Sequence, residues 1–153
     1  MSRKNMFLFS TVAQTNYFAQ VGRLIAKGNY SKSGPKRCLR SKDDNDNTFC
    51  VIIRHTYEHY NDLITTVRRA WMINIDEFRK KHIEHVFAIY ENVIVGVYKL
   101  AKDNPIVESY EPNRWEFNLQ LADLTMQQKW LGIELDGNSL KGGECHYAYF
   151  ETE

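Results

Sequence analysis

The sequence predicts an α+β fold: a small, strongly curved antiparallel sheet or barrel flanked by two or three helices. Three observations predict it. Residues 86–90 (VFAIY) and 93–100 (VIVGVYKL) are apolar on both faces and separated by Glu91-Asn92, which marks a buried hairpin. Arg114–Leu119 alternates, with Trp115, Phe117 and Leu119 on one side and Arg114, Glu116 and Asn118 on the other. Tyr57, Tyr60, Ile64, Val67 and Trp71 recur at helical spacing, and so do Ala122, Met126 and Trp130.

Taken in order, Met6–Val12 reads as a first strand, and Ala13–Lys27 as a helix stopped by Gly28-Asn29. The basic start fits a signal peptide, but Ser10 and Thr11 cut its apolar run short. Residues 28–48 form a long polar loop, basic at first (Lys32, Lys36, Arg37, Arg40, Lys42) and acidic at its end (Asp43, Asp44, Asp46). Phe49–Arg54 is a short β-branched run, a buried strand. The amphipathic helix follows over Tyr57–Trp71, and Met72–Lys81 holds a shorter one that Asp76 can cap. Gly96 within the hairpin suits a bulge or a barrel corner. Asp103-Asn104-Pro105 is a turn, and Leu121–Leu131 is a helix ended by Gly132. The tail is expected to form short strands around Asp136-Gly137 and Gly142-Gly143, ending in Glu144–Phe150. No internal repeat or linker divides the chain, so residues 1–153 are expected to form one domain.

Composition excludes more than it selects. Lys and Arg number 20 against 19 Asp and Glu, a formal charge of +1. That balance hides an asymmetry: residues 1–42 carry nine Lys or Arg and no acid, leaving a charge of −8 on the rest. A basic segment of this kind either grips an anionic partner or docks on its own acidic body. There is no apolar run long enough for a membrane helix. Three cysteines without C-x-x-C spacing argue against a disulfide framework or a four-Cys zinc site, and for buried or inert thiols in a reducing, cytoplasmic setting.

Motifs that announce an enzyme class are missing: no Walker A, no G-x-G-x-x-G, no G-x-S-x-G. His55-Thr56-Tyr57-Glu58-His59 matches H-x-x-E-H, yet it lies at the predicted start of a helix. A zinc site also needs a distant third ligand. His55 and His59 are thus weak candidates for acid–base work, and catalytic residues stay unknown. His82 and His85 around Glu84 read as a charged helix end. No metal or cofactor is expected.

The cations and rings are more suggestive. Cations contact phosphate oxygens and rings stack on bases. Lys32, Lys36, Arg37, Arg40 and Arg69 are the candidate phosphate contacts, and Trp71 and Trp115 the candidate pocket rings. Pairing with the acidic half is the alternative for Arg68 and Arg69, with Arg69 the better candidate for an external partner.

The stretch from Ala70-Trp71 through Glu84-His85-Val86-Phe87-Ala88-Ile89-Tyr90, Val93–Lys99, Asn113-Arg114-Trp115-Glu116-Phe117 and Trp130-Leu131-Gly132 resembles a small, largely uncharacterised domain of bacteria and phages. Asn92 and Asn113 stand where that pattern has glycine. The resemblance covers less than half of the chain. By analogy it is similar to PUA-like barrels of the EVE and ASCH type, which implies RNA or modified-base binding in an aromatic cleft. Three functions follow as expectations: nucleic-acid binding with a base-sized cleft, a phage-type inhibitor of a host protein, and a metal-independent ribonuclease using His55 or His59.

Overall fold

A computed structural model describes residues 36–53, 63–69 and 71–152. The predicted strand Met6–Val12, the helix Ala13–Lys27, Lys32 and the His55–His59 motif lie outside the described residues.

The fold is α+β. Strands β1 (Thr48–Ile52), β3 (His85–Tyr90), β4 (Val93–Leu100), β7 (Leu119–Leu121) and β8 (Cys145–Ala148) form a sheet in the order β7-β4-β3-β1-β8. A second sheet is built from β2 (Trp71–Met72), β5 (Ile106–Glu108) and β6 (Arg114–Phe117), in the order β2-β6-β5. Among the described residues three helices, α1 (Leu63–Arg68), α2 (Ile75–Lys80) and α3 (Leu124–Trp130), join them. Both sheets are open among the described residues. No described helix is long and apolar enough to cross a membrane.

The large sheet is mixed, which corrects the antiparallel expectation. β1 pairs parallel with β3, while β3–β4, β4–β7 and β1–β8 are antiparallel. The chain leaves β1 and returns to β3 only after α1, β2 and α2, the long crossover that a parallel pair needs.

The hairpin turns where expected. Glu91 and Asn92 both have positive φ (48° and 69°), as a two-residue primed turn requires. Between Ala88↔Gly96 and Ile89↔Ile94 the register shifts, leaving Val95 as the extra residue of a bulge. Gly96 sits beside it by necessity, because a Cβ there would lie 2.7 Å from the Tyr98 ring. Bulge and glycine together curve the sheet's middle.

Alternation along β1 and β3 gives the sheet two buried faces. Phe49 packs with Phe78 of α2, Phe117 of β6 and Tyr147 of β8, at centroid distances of 5.1–5.6 Å. On the other face Phe87 meets Phe150 at 4.6 Å, and Phe150 meets Trp130 of α3 at 4.8 Å. Aromatic edges and tilted faces at these distances add to the area they bury.

Caps set the helix starts. Asn74, not Asp76, caps α2 by accepting from the Glu77 N–H. Asp123 caps α3 by accepting from the Met126 N–H, so α3 begins at Leu124 rather than at Leu121. The Arg114–Leu119 alternation does not form one strand. Asn118 interrupts it, placing Phe117 in the small sheet and Leu119 in the large one. Around Asp136 the expected strand is a 3-10 turn, Gly137–Leu140, with Asp136 as its cap.

Candidate nucleic-acid interface

Residues 36–42, the basic half of the long loop, are held against the C-terminal segment by backbone hydrogen bonds. The Arg37 N–H donates to the Glu134 carbonyl (3.0 Å), and the Asp136 N–H donates to the Arg37 carbonyl (2.7 Å). The Leu39 N–H donates to Ser139 Oγ at 3.0 Å. The Tyr149 N–H donates to the Arg40 carbonyl at 2.9 Å. With the backbone so fixed, Lys36, Arg37, Arg40 and Lys42 all remain exposed. Arg37 lies over the Trp130 ring at 5.0 Å, and Lys42 over the Tyr149 ring at 4.0 Å. A ring beneath a cation steadies it without neutralising it. Lys36 is 3.4 Å from Glu134, but both side chains are so exposed that the pair counts for little.

The acidic half of the loop anchors this strip. Asp46 is buried and accepts from Ser41 Oγ (2.6 Å), the Lys42 N–H (2.5 Å) and Lys81 Nζ (3.0 Å). Lys81 Nζ also donates to the Asp43 carbonyl and lies 4.8 Å from the centre of the Tyr147 ring. Beside it, the Asn47 side chain exchanges two hydrogen bonds with the Phe150 backbone. The Asp46 carboxylate is thus spent on internal donors, and the four exposed cations outnumber the two exposed acids of the loop, Asp43 and Asp44.

The other predicted residues gather on the small sheet. Trp71 stands directly opposite Trp115 in the β2–β6 pair. Both are half-buried, and the Trp71 indole N–H donates to the Val67 carbonyl at 2.8 Å. Arg69 Nε is 3.7 Å from Glu116 Oε1, with the Arg69 side chain 57% exposed, the pairing with the acidic half that was its alternative. Arg79, which sequence reasoning passed over, lies above Trp115 at 5.7 Å.

Next to Arg79 an open groove of about 290 Å³ runs between the end of α2 and the 104–106 turn. Phe78, Ile83, Pro105 and Ile106 make its apolar walls; Arg79, His82 and Asn104 supply polar groups. His82 and Asn104 both have φ of 50°. Small-molecule sites share this make-up, an apolar cleft with a few polar groups. The pattern of Trp115 alternation pointed near it, but nothing in the sequence tied Arg79 to Asn104.

Titratable groups elsewhere serve the core. Burial lowers the His85 pKa, opposed by Glu84 and Asp123, with Lys99 lowering it further. Its Nδ1 and the Oε1 of Gln127 are buried without a hydrogen-bond partner. Burial raises the Cys50 thiol far above its ordinary range, and with Glu144 it pushes Cys145 up to about 12. Of the three free thiols Cys38 is exposed, Cys145 half-buried and Cys50 buried. His82 and His85 do not converge with other ligands: the described residues contain no cluster of three or more metal-binding side chains.

Compared with protein-family models, curated proteins and solved structures, the chain matches none.

Proposed function

We propose that this protein binds nucleic acid, RNA or base-modified DNA, with the 36–42 strip contacting phosphates and the groove beside Trp115 taking a base. The observation that carries the reading is the strip itself. Four exposed cations stand on a backbone pinned at four points, two of them over aromatic rings. Fixed cations lose little entropy on meeting a phosphate chain, and each releases a counterion when it does. Lys32 belongs to the same proposal from its place in the basic run. Arg69 joins it as well, because its 3.7 Å pair with Glu116 leaves the guanidinium largely exposed. Trp71 and Trp115 act as pocket supports, with Trp115 reaching the groove through Arg79. The likeness to PUA-like barrels is part of the same proposal, supported by the bulged, curved hairpin. Filter binding of labelled oligonucleotides tests it: retention at low salt that weakens steeply as salt rises is expected. No retention at about 50 mM salt with micromolar protein overturns it.

A second reading, contact with a host protein, has one observation in its favour. Met72 is 70% exposed on β2, and Tyr110 is 89% exposed in the β5–β6 connection. Exposed large apolar side chains of this kind are common at protein contacts. Co-purification of one protein that survives nuclease treatment would favour it over the first.

A further inference from the structure

The groove at the end of α2 holds polar groups that the fold leaves unused. Arg79 makes no ion pair among the described residues, although Lys36, Arg69, Lys81, Arg114 and Lys129 all do. The Asn104 carbonyl accepts from the Asn118 side chain, but the Asn104 amide group has no partner among the described residues. Trp115 backs the Arg79 guanidinium, holding it at the rim above walls that include Ile83 and Ile106.

We infer that this groove takes one nucleotide bearing a terminal phosphate monoester, free or at a strand end, an assignment that rests on the nucleic-acid reading above. Size limits the occupant: about 290 Å³ is at the low end for ligand sites, room for one nucleotide and not for a run of them. Apolar walls suit the face of a base. The Asn104 amide offers both a donor and an acceptor to its edge. The planar fork of Arg79 matches a phosphate with two parallel hydrogen bonds. His82, three positions on and lining the same groove, adds a second nitrogen. Two donors at one rim favour a doubly charged monoester over the single charge of an internal diester. Asp103 in the adjoining turn is preceded in the chain by Lys102 and does not line the groove.

The test titrates the full-length protein calorimetrically with nucleoside monophosphates, the matching nucleosides and inorganic phosphate. Oligonucleotides of one sequence, with 5′-phosphate, 3′-phosphate or hydroxyl ends, then compete for it. The monophosphates are expected to bind at least tenfold tighter than either nucleosides or phosphate alone. An advantage for a phosphorylated end assigns the groove to strands; free nucleotides without that advantage assign it to mononucleotides. Arg79→Gln is expected to abolish the phosphate preference, and Asn104→Ala to flatten differences between bases. Both residues are exposed, so an unchanged thermal transition shows that the variants fold. Equal binding of nucleoside and monophosphate, or an unaltered preference in Arg79→Gln, overturns the inference. If oligonucleotides still bind in a salt-dependent way, that result leaves the nucleic-acid reading standing. Loss of all oligonucleotide binding overturns the reading itself.

Discussion

Replacing Asp46 by alanine is expected to destabilise the fold by about 3 kcal/mol or more, and the geometry gives the reason. The Asp46 side chain is fully buried and Lys81 is 14% exposed, so their 3.0 Å pair is better shielded from water than the other ion pairs among the described residues. Removing one partner of a buried pair typically costs about 3–5 kcal/mol, because the other charge is left without compensation. Lys81 keeps the Asp43 carbonyl and the Tyr147 ring, which moves the expected loss toward the lower end. The Ser41 hydroxyl and Lys42 N–H also lose their acceptor, at about 1 kcal/mol or more each. Lys81→Met is expected to cost less, since Asp46 retains those two donors. Urea unfolding of the wild type, both single variants and the double variant closes a cycle. Its coupling energy reads the pair alone. The same titrations report on the strip, which Asp46 holds through Ser41 and Lys42. A loss below about 1 kcal/mol for Asp46→Ala, the scale of an exposed pair, would refute the reasoning.

Other consequences follow from single features of the chain. Glu91→Asn is expected to raise stability by about 0.5–1 kcal/mol, because asparagine tolerates the positive φ that glutamate holds at position 91; chemical denaturation measures it. Stability is expected to fall on both sides of neutrality. The folded state resists protonating His85, so the unfolded chain binds that proton first, and stability declines as pH drops below about 6.5. Cys145 keeps its proton up to about 12 against an ordinary value of 9.0, so unfolding is increasingly favoured as pH rises above 9.0. That loss runs at about 1.4 kcal/mol per pH unit, and Cys50 acts in the same direction. Melting temperatures across a pH series check both arms. In native protein iodoacetamide is expected to label Cys38 alone, with Cys50 and Cys145 labelled after unfolding; mass spectrometry counts the adducts.

Local order was legible where neighbouring residues decide it. The hairpin ends fall within one residue of the expected ones, because the turn at Glu91-Asn92 and the flanking apolar runs agree. α3 was visible as a stripe of Ala122, Met126 and Trp130, but periodicity overran its start, since Ala122 packs inward without being helical. The cap of α2 went to Asn74 because both residues are competent caps and spacing does not choose between them. What escaped the sequence depends on partners far along the chain. The parallel pairing of β1 with β3 leaves no mark on either strand's periodicity. The alternation of Arg114–Leu119 hides the switch between sheets at Asn118, because both halves bury the same parity of residues. For the site, the basic run was plain, but its attachment to residues 134–149 was not. Pairing with the acidic half was an open alternative for Arg69, and only the fold names Glu116 as the partner. Trp71 and Trp115 are the pocket rings that the sequence suggests, yet neither lines the groove. The groove itself depends on Arg79 and Asn104, whose approach only the fold creates.

The most direct test of a phosphate-binding strip is the salt dependence of oligonucleotide affinity in the wild type and in the K36Q/R40Q variant. With four strip cations each neutralising one phosphate, log K against log salt has a slope of about −2.8 for a single strand, roughly a 50-fold loss between 50 and 200 mM. The double substitution, at two exposed positions, is predicted to flatten that slope by about 1.4 while leaving the unfolding transition in place. A wild-type slope near zero, or an identical slope in the variant, would contradict the account.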